Sequence, residues 1–197
     1  MLFEKGLLSQ NSTVLELGAG VAGLVPVMLG SKIARYVATD QRYALKLLQE
    51  NVVENLRILD GPSAGSRKAR KDAQGPRTPD TVELDWELDD IKSFLCMHQL
   101  DNGVDMVLAS DCIYNYALIE PFVQACVQIC SARSPAGRQT ICLVASQLRQ
   151  PDVMEEFLTY FQRFFRVYRL QDDEVGPALA ASMGFAIHVG VLHDGQQ

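Results

Sequence analysis

The sequence has 197 residues, 48% of them hydrophobic and 21% charged, and its formal net charge is −6. These values are typical of one soluble globular domain, and no apolar stretch approaches the roughly 18 residues of a membrane span. The negative charge argues against sequence-independent binding of nucleic acid. It is compatible with a basic substrate, such as a lysine-rich protein segment.

Strand and helix patterns alternate along almost the whole chain. Strands are predicted at residues 13–17, 35–40, 81–86, 104–111, 139–146, 165–170 and 184–192. Helices are predicted at residues 21–29, 43–59, 88–100, 117–131 and 153–164. Five strand–helix units, then two strands with no helix between them, predict a three-layer α/β fold with a mostly parallel sheet. The last two strands are expected to form an antiparallel hairpin at the sheet edge.

Residues 60–79 interrupt this pattern. They are rich in Gly, Pro, Ser, Lys and Arg and contain almost no large apolar residue. We therefore expect a flexible surface insertion at about residues 60–80, within a single domain that spans residues 1–197. Its basic run RKARK is interpreted as a solvated loop, and contact with RNA or the ribosome is the alternative.

The five cysteines are an odd number with no CxxC pair, which favours a reduced compartment, the cytoplasm or alternatively the nucleus. Cys126 and Cys130 lie four residues apart on a predicted helix and could share a metal. The three histidines are not suitably spaced to complete a zinc site, so we expect two small buried residues and no metal. The N-terminus, MLFEKGLLSQ, is not a signal peptide, because its apolar run is short and Glu4 interrupts it.

A glycine turn, GAGVAG, follows the first predicted strand. Gly18 and Gly20 allow the backbone to turn sharply and to approach a ligand, and the next helix points its first amide groups toward that ligand. We expect Gly18, Ala19 and Gly20 to contact a nucleoside-like cofactor. The pattern Gly-x-Gly-x-x-Gly also fits NAD or FAD, so the turn alone does not identify the cofactor.

Two acids lie close to this turn in the predicted fold. Asp40 ends the second strand, where a carboxylate can accept hydrogen bonds from both ribose hydroxyls; capping of the next helix is the alternative. Glu16 lies inside an apolar strand, and a buried carboxylate is costly unless it meets a cation or several donors. The ammonium and sulfonium of S-adenosylmethionine suit Glu16, whereas the pyrophosphate of NAD does not. Bonding to N–H groups of the glycine turn is the alternative, and both roles can hold together.

Two further strand ends carry polar side chains. Trp86, the only tryptophan, can support an adenine ring, with Asp85 or the backbone bonding the adenine amino group; core packing is the alternative. SDCIY begins at Ser110 and ends the fourth strand, where the transferred methyl group should emerge. Asp111 and Tyr114 are three residues apart, so a turn can bring both into one pocket. A helix cap plus a surface tyrosine is the alternative.

Four motifs in this order and spacing resemble those of the family 16 protein methyltransferases: ELGAG from Glu16, VATD ending at Asp40, LDW ending at Trp86, and DCIY from Asp111. That family is a branch of the seven-strand, Rossmann-like methyltransferases that use S-adenosylmethionine, and DxxY after the fourth strand is its signature. The match runs from about Leu15 to the C-terminus. TDQ, LDWE, IYNYALIEPF and the insertion before the third strand are most similar to the fungal ribosomal lysine N-methyltransferase 5 group.

The resemblance implies an S-adenosylmethionine-dependent protein-lysine N-methyltransferase that acts on a ribosomal protein of the large subunit. It implies that the glycine turn, Asp40, Trp86 and Ser110 contact the cofactor, and that Asp111 and Tyr114 line a lysine channel. Relatives carry a segment ahead of the first strand, with a cofactor-contacting tryptophan and part of the substrate cleft, and we expect that segment to be missing here. We expect a monomer that binds neither membrane nor nucleic acid.

The expected reaction is an in-line displacement by the lysine nitrogen on the sulfonium methyl group. It needs a neutral amine, and desolvation in an apolar channel lowers the pKa of lysine. Asp111 is expected to orient the amine and Tyr114 to shape the channel. The alternatives are a methyltransferase of another protein, RNA or a small molecule, although SDCIY lacks the N/D-P-P-Y/F motif; a dehydrogenase; and a non-catalytic relative that only binds.

Overall fold

The computed structural model describes residues 2–60, 78–132, 137–179 and 181–193. Its strands are β1 (Thr13–Leu17), β2 (Arg35–Asp40), β3 (Asp80–Glu83), β4 (Met106–Ser110), β5 (Ile141–Gln147), β6 (Phe165–Arg169) and β7 (Phe185–Leu192). Within the described residues they form one seven-stranded sheet in the order β3-β2-β1-β4-β5-β7-β6. The first five strands are parallel, and β7 runs antiparallel to both β5 and β6.

Helices cover both faces of the sheet. They are α1 (Leu24–Gly30), α2 (Arg42–Asp60), α3 (Ile91–Met97), α4 (Tyr116–Ser131), α5 (Pro151–Phe161) and the short α6 (Asp172–Val175). Side chains of α1 and α2 pack on one face, and those of α3, α4 and α5 pack on the other. In the part of the chain that the structure describes, no helix combines the length and apolarity needed to cross a membrane.

Strand β1 separates the two cores, because successive side chains of a strand point to opposite faces. Leu15 and Leu17 lie in the core under α3, α4 and α5, together with the fully buried Phe122 and Phe157, whereas Val14 lies in the core under α1 and α2. A parallel sheet buried on both faces explains why the strands are almost continuously apolar. It also brings the carboxyl ends of β1, β2 and β4 to one edge.

The predicted three-layer α/β fold is confirmed, and the first two strands have the predicted bounds. The third strand is shorter than predicted, so Asp85 and Trp86 lie in the loop that follows it. Local hydrogen bonds form this loop: the Asp85 carboxylate accepts from the N–H of Glu87, and the N–H of Asp85 donates to the Asp89 carboxylate. Helix α3 then begins at Ile91, since Asp90 caps it by accepting from the N–H of Ser93 at 2.8 Å.

The predicted antiparallel pairing of the last two strands is confirmed, but their order in the sheet was not predicted. Strand β7 inserts between β5 and β6, so β6 forms the edge. The expectation of no helix between them was wrong, because α6 and two 3₁₀ turns lie there. The predicted insertion at about residues 60–80 lies mostly outside the described residues.

Candidate active site

A cleft of about 680 Å³ opens at the carboxyl ends of β1, β2 and β4 and at the loop after β3. It is lined by Gly18, Ala19, Gly20, Val21, Asp40, Gln41, Tyr43, Ala44, Leu84, Asp85, Trp86, Glu87, Ser110, Asp111, Cys112, Tyr114, Asn115 and Leu118. These include every residue predicted for the site except Glu16. A cleft at this edge of a parallel α/β sheet is where ligands bind in such folds.

The glycine turn forms one wall of the cleft. Gly18 has φ 66°, and a Cβ on it would lie 2.9 Å from Cβ of Cys112 and 3.2 Å from the Trp86 ring, so no larger residue fits. The N–H of Ala19 donates to the carbonyl of Thr39, at 2.9 Å. Helix α1 begins at Leu24, three residues later than predicted, because Gly23 also has φ 66° and extends the turn.

Asp40 holds the glycine turn in place. One carboxylate oxygen accepts from the N–H of Gly20 at 2.7 Å, and the other accepts from the N–H of Gln41 at 2.8 Å. These bonds differ from the helix-cap alternative, since neither N–H belongs to α2. Each oxygen can accept a further hydrogen bond, which leaves Asp40 able to bind ribose hydroxyls.

Glu16 lies beneath the turn with only 1% of its surface exposed. Within the described part of the chain, its Oε2 atom has no hydrogen-bond partner, and neither has the buried hydroxyl of Tyr36. Burial raises the pKa of Glu16 to about 7; the nearby Tyr36 hydroxyl opposes this shift and the charge of Asp40 adds to it. A buried carboxyl with one unpartnered oxygen is suited to meet a cationic ligand group.

Trp86 packs in the core and also borders the cleft. Its ring packs edge-on against Phe122, with centroids 5.3 Å apart, and it also lines the cleft. The indole Nε1 is buried and makes no hydrogen bond with any described residue. Asp85 beside it accepts from the side-chain amide of Gln41 at 2.8 Å, which links the loop after β3 to the end of β2.

The SDCIY segment turns sharply at Asp111, which has φ 56°, so β4 ends at Ser110. The Asp111 carboxylate accepts from the N–H of Gln147 and pairs with the guanidinium of Arg149. The helix cap considered for this segment belongs to Asn115, whose side chain accepts from the N–H of Ala117 at 3.0 Å. Tyr114 is 60% exposed at the mouth of the cleft.

Sequence reasoning missed several lining residues, including Gln41, Tyr43 and Leu118, and it missed Arg149. Nothing in the sequence pattern marked Arg149, because its partner lies 38 positions away on another strand end. Cys112 lay within a motif that was singled out but received no role; burial raises the pKa of its thiol, so it stays protonated.

The predicted burial of Cys126 and Cys130 on α4 is confirmed. The five cysteines are free thiols. Across the described ranges, no group of three or more His, Cys, Asp or Glu side chains is placed to hold a metal ion.

Sequence comparison relates the chain to yeast lysine methyltransferases. It is 31% identical to ribosomal lysine N-methyltransferase 5 of Vanderwaltozyma polyspora, over 85% of this chain and 57% of the relative. The identity is 32% with the protein of that name from Zygosaccharomyces rouxii, over 76% of this chain and 50% of the relative. The chain spans about half the length of the curated relatives that it matches, and no protein-family model matches it.

Solved structures share the fold at low sequence identity. YcgJ from Bacillus subtilis aligns with a TM-score of 0.60 and 10% identity, over 98% of this chain and 97% of that one. An rRNA methylase from Streptococcus thermophilus aligns with a TM-score of 0.55 and 14% identity, over 97% and 93%. The S-adenosylmethionine-dependent methyltransferase SibL aligns with a TM-score of 0.55 and 15% identity, over 93% and 51%. The chain is thus similar to ribosomal lysine N-methyltransferase 5 proteins over about half of their length, and it shares the seven-strand fold of solved methyltransferases.

Proposed function

We propose that this chain binds S-adenosylmethionine in the cleft and transfers its methyl group to a lysine side chain of a ribosomal protein. The observation that carries the proposal is the similarity to named ribosomal lysine methyltransferases across four-fifths of the chain. Methylation of a ribosomal protein would require the chain to be in the cytoplasm or the nucleus.

The residues of the cleft fit the cofactor. Its volume suits a nucleoside-sized ligand. Gly20 has open space on its Cβ side, so a ligand can approach the backbone there. Asp40 would bind the ribose and Trp86 the adenine. Glu16, whose Oε2 atom lacks a partner, would meet the ammonium end of the ligand below the glycine turn.

When bound, S-adenosylmethionine would supply a methyl group on a sulfonium centre; the lone pair of a neutral amine would bond to the methyl carbon as the carbon–sulfur bond breaks, which leaves S-adenosylhomocysteine and a methylated, protonated amine. The contribution of the chain is to align that amine and to keep water away from it. Asp111 lies at the end of β4, where it can accept a hydrogen bond from the amine. Tyr114 at the mouth would flank the incoming side chain.

Isothermal titration with S-adenosylhomocysteine tests the cofactor site. We expect micromolar binding by the unaltered chain and at least roughly tenfold weaker binding by Asp40→Ala, since the lost bonds involve a charged group. Asp40→Asn keeps an acceptor for the N–H of Gly20 but loses the charge. It therefore distinguishes weaker binding caused by a disordered glycine turn from weaker binding caused by loss of the carboxylate that would bind the ribose. Asp101→Ala, in the exposed turn before β4, is the matched control. Absence of binding, or equal binding by all variants, would refute this assignment.

A further inference from the structure

Asp111 and Arg149 meet where the cleft borders the end of β5. The N–H of Asp111 donates to the carbonyl of Ala145 at 2.7 Å, and one carboxylate oxygen accepts from the N–H of Gln147 at 3.2 Å. The other oxygen pairs with the guanidinium of Arg149. All three contacts are made with β5 or the residues directly after it.

The backbone of Asp111 lies in the left-handed region, which residues with a Cβ rarely adopt and which is often found at functional sites. Its contacts with Ala145 and Gln147 already tie this turn to β5, independently of Arg149. The distinct contribution of Arg149 is therefore its positive charge. Its side chain is 59% exposed, so that charge lies at the surface beside the cleft and not in its wall.

The cleft itself is acidic. Four carboxylates line it, from Asp40, Asp85, Glu87 and Asp111, and no Lys, Arg or His is among the described residues that do so. Nearby carboxylates favour the charged form of an amine and raise its pKa. An ammonium has no lone pair, so an uncompensated acid beside the amine opposes methyl transfer.

We propose that Arg149 cancels the charge of Asp111, so that the cleft accepts the substrate amine in its neutral form. Asp111 then still offers an oxygen for hydrogen bonding but no longer stabilises the ammonium. Arg149 is a positioning residue in this scheme, since it acts only through Asp111. The inference rests on the proposed function for the identity of the amine.

Other titratable groups also face this site. They are Asp40 from the end of β2, Tyr43 from the start of α2, Asp85 and Glu87 from the loop after β3, and Cys112 and Tyr114 from the segment of Asp111 itself. None of these side chains is a lysine, arginine or histidine. Removal of Arg149 thus leaves the acids of the cleft without this cation.

An NMR titration tests the proposal without any methyl transfer. The probe is n-butylammonium, added at pH 7 to the ¹⁵N-labelled chain while the amide signals of Asp111 and Tyr114 are followed. Arg149→Ala should bind the probe roughly fivefold more tightly than the unaltered chain, the upper range for an exposed ion pair. Arg149→Lys should behave like the unaltered chain, because it keeps the charge.

Arg57→Ala is the control, since Arg57 is also an exposed, ion-paired arginine but lies on α2 and pairs with Glu54. Equal affinity of the unaltered chain and Arg149→Ala for the probe would overturn the proposal, whatever the cofactor titration shows. In the methyl-transfer assay, Arg149→Ala should move the rise of rate to higher pH while retaining the maximal rate. An unshifted pH profile in an active enzyme would overturn the proposal and leave the proposed function standing.

Discussion

The backbone N–H of Gly20 donates a 2.7 Å hydrogen bond to the Asp40 carboxylate, which joins the turn after β1 to the end of β2. The same carboxylate is thus a structural acceptor and a ligand-binding candidate. Because the Asp40 carboxylate holds the N–H of Gly20, the turn can expose the backbone of Gly20 to a ligand and still keep a fixed conformation.

Gly18→Ala should destabilise the chain through contact with two neighbours. The new Cβ would lie 2.9 Å from Cβ of Cys112 and 3.2 Å from Trp86, in a backbone at φ 66°. We expect the free energy of unfolding in urea to fall by about 2–4 kcal/mol. Gly6→Ala, at φ 69° with no atom within 4 Å of its Cβ position, carries the backbone strain alone and should cost about 1 kcal/mol. Equal losses for the two variants would contradict the packing described for Gly18.

Glu16 should make stability fall with rising pH. Its pKa is raised from 4.5 to about 7 in the folded chain, so the folded state holds a proton that the unfolded state releases. The stabilisation is fully present below pH 4.5 and is lost as pH rises to about 7, by about 3 kcal/mol in total. Urea unfolding should be measured at pH 4.5 and 7.5. Between these pH values, the free energy of unfolding of Glu16→Gln should rise by about 3 kcal/mol relative to that of the unaltered chain. Glu156→Gln, exposed on α5, should show no such gain.

Trp86 should report ligand binding by its fluorescence. It is the only tryptophan and it lines the cleft, so no other indole contributes to the emission. S-adenosylhomocysteine should change that emission with the same dissociation constant as in calorimetry, and in Asp40→Ala the change should need at least roughly tenfold more ligand. Calorimetric binding with constant emission would place the ligand elsewhere.

Asn115→Ala should loosen the start of α4. The Asn115 side chain caps this helix directly after Tyr114, so we expect a loss of about 1 kcal/mol in the free energy of unfolding. Asn115→Ser should retain most of the stability, because serine also accepts from the helix N–H groups. If serine and alanine are equally destabilising, the cap is not what stabilises this end.

The alternation of apolar strands and amphipathic helices sufficed to predict the layers of the fold, because burial on both faces leaves a strong local pattern. The sequence did not predict that β7 lies between β5 and β6. Pairing order among late strands depends on contacts between distant segments, such as Gly190 in β7, where a Cβ would lie 2.6 Å from the ring of Phe161.

The candidate site was predictable where function requires a particular residue at a strand end. Gly18, Asp40 and Asp111 lie on the cleft as expected. Arg149 was not predictable, since an arginine in a loop has no periodic or compositional signature. The assignment of cofactor and lysine contacts to these residues remains a prediction.

Methyl transfer to ribosomes tests the central claim most directly. The 197-residue chain would be incubated with methyl-labelled S-adenosylmethionine and ribosomes from a Saccharomyces cerevisiae strain that lacks its own ribosomal lysine N-methyltransferase 5. We predict label in a protein that resists ribonuclease, with methyllysine found by mass spectrometry, and much less label with Asp111→Ala, which removes the oxygen that accepts from the amine. Label in RNA, or no label from a chain that binds S-adenosylhomocysteine, would contradict the proposed activity.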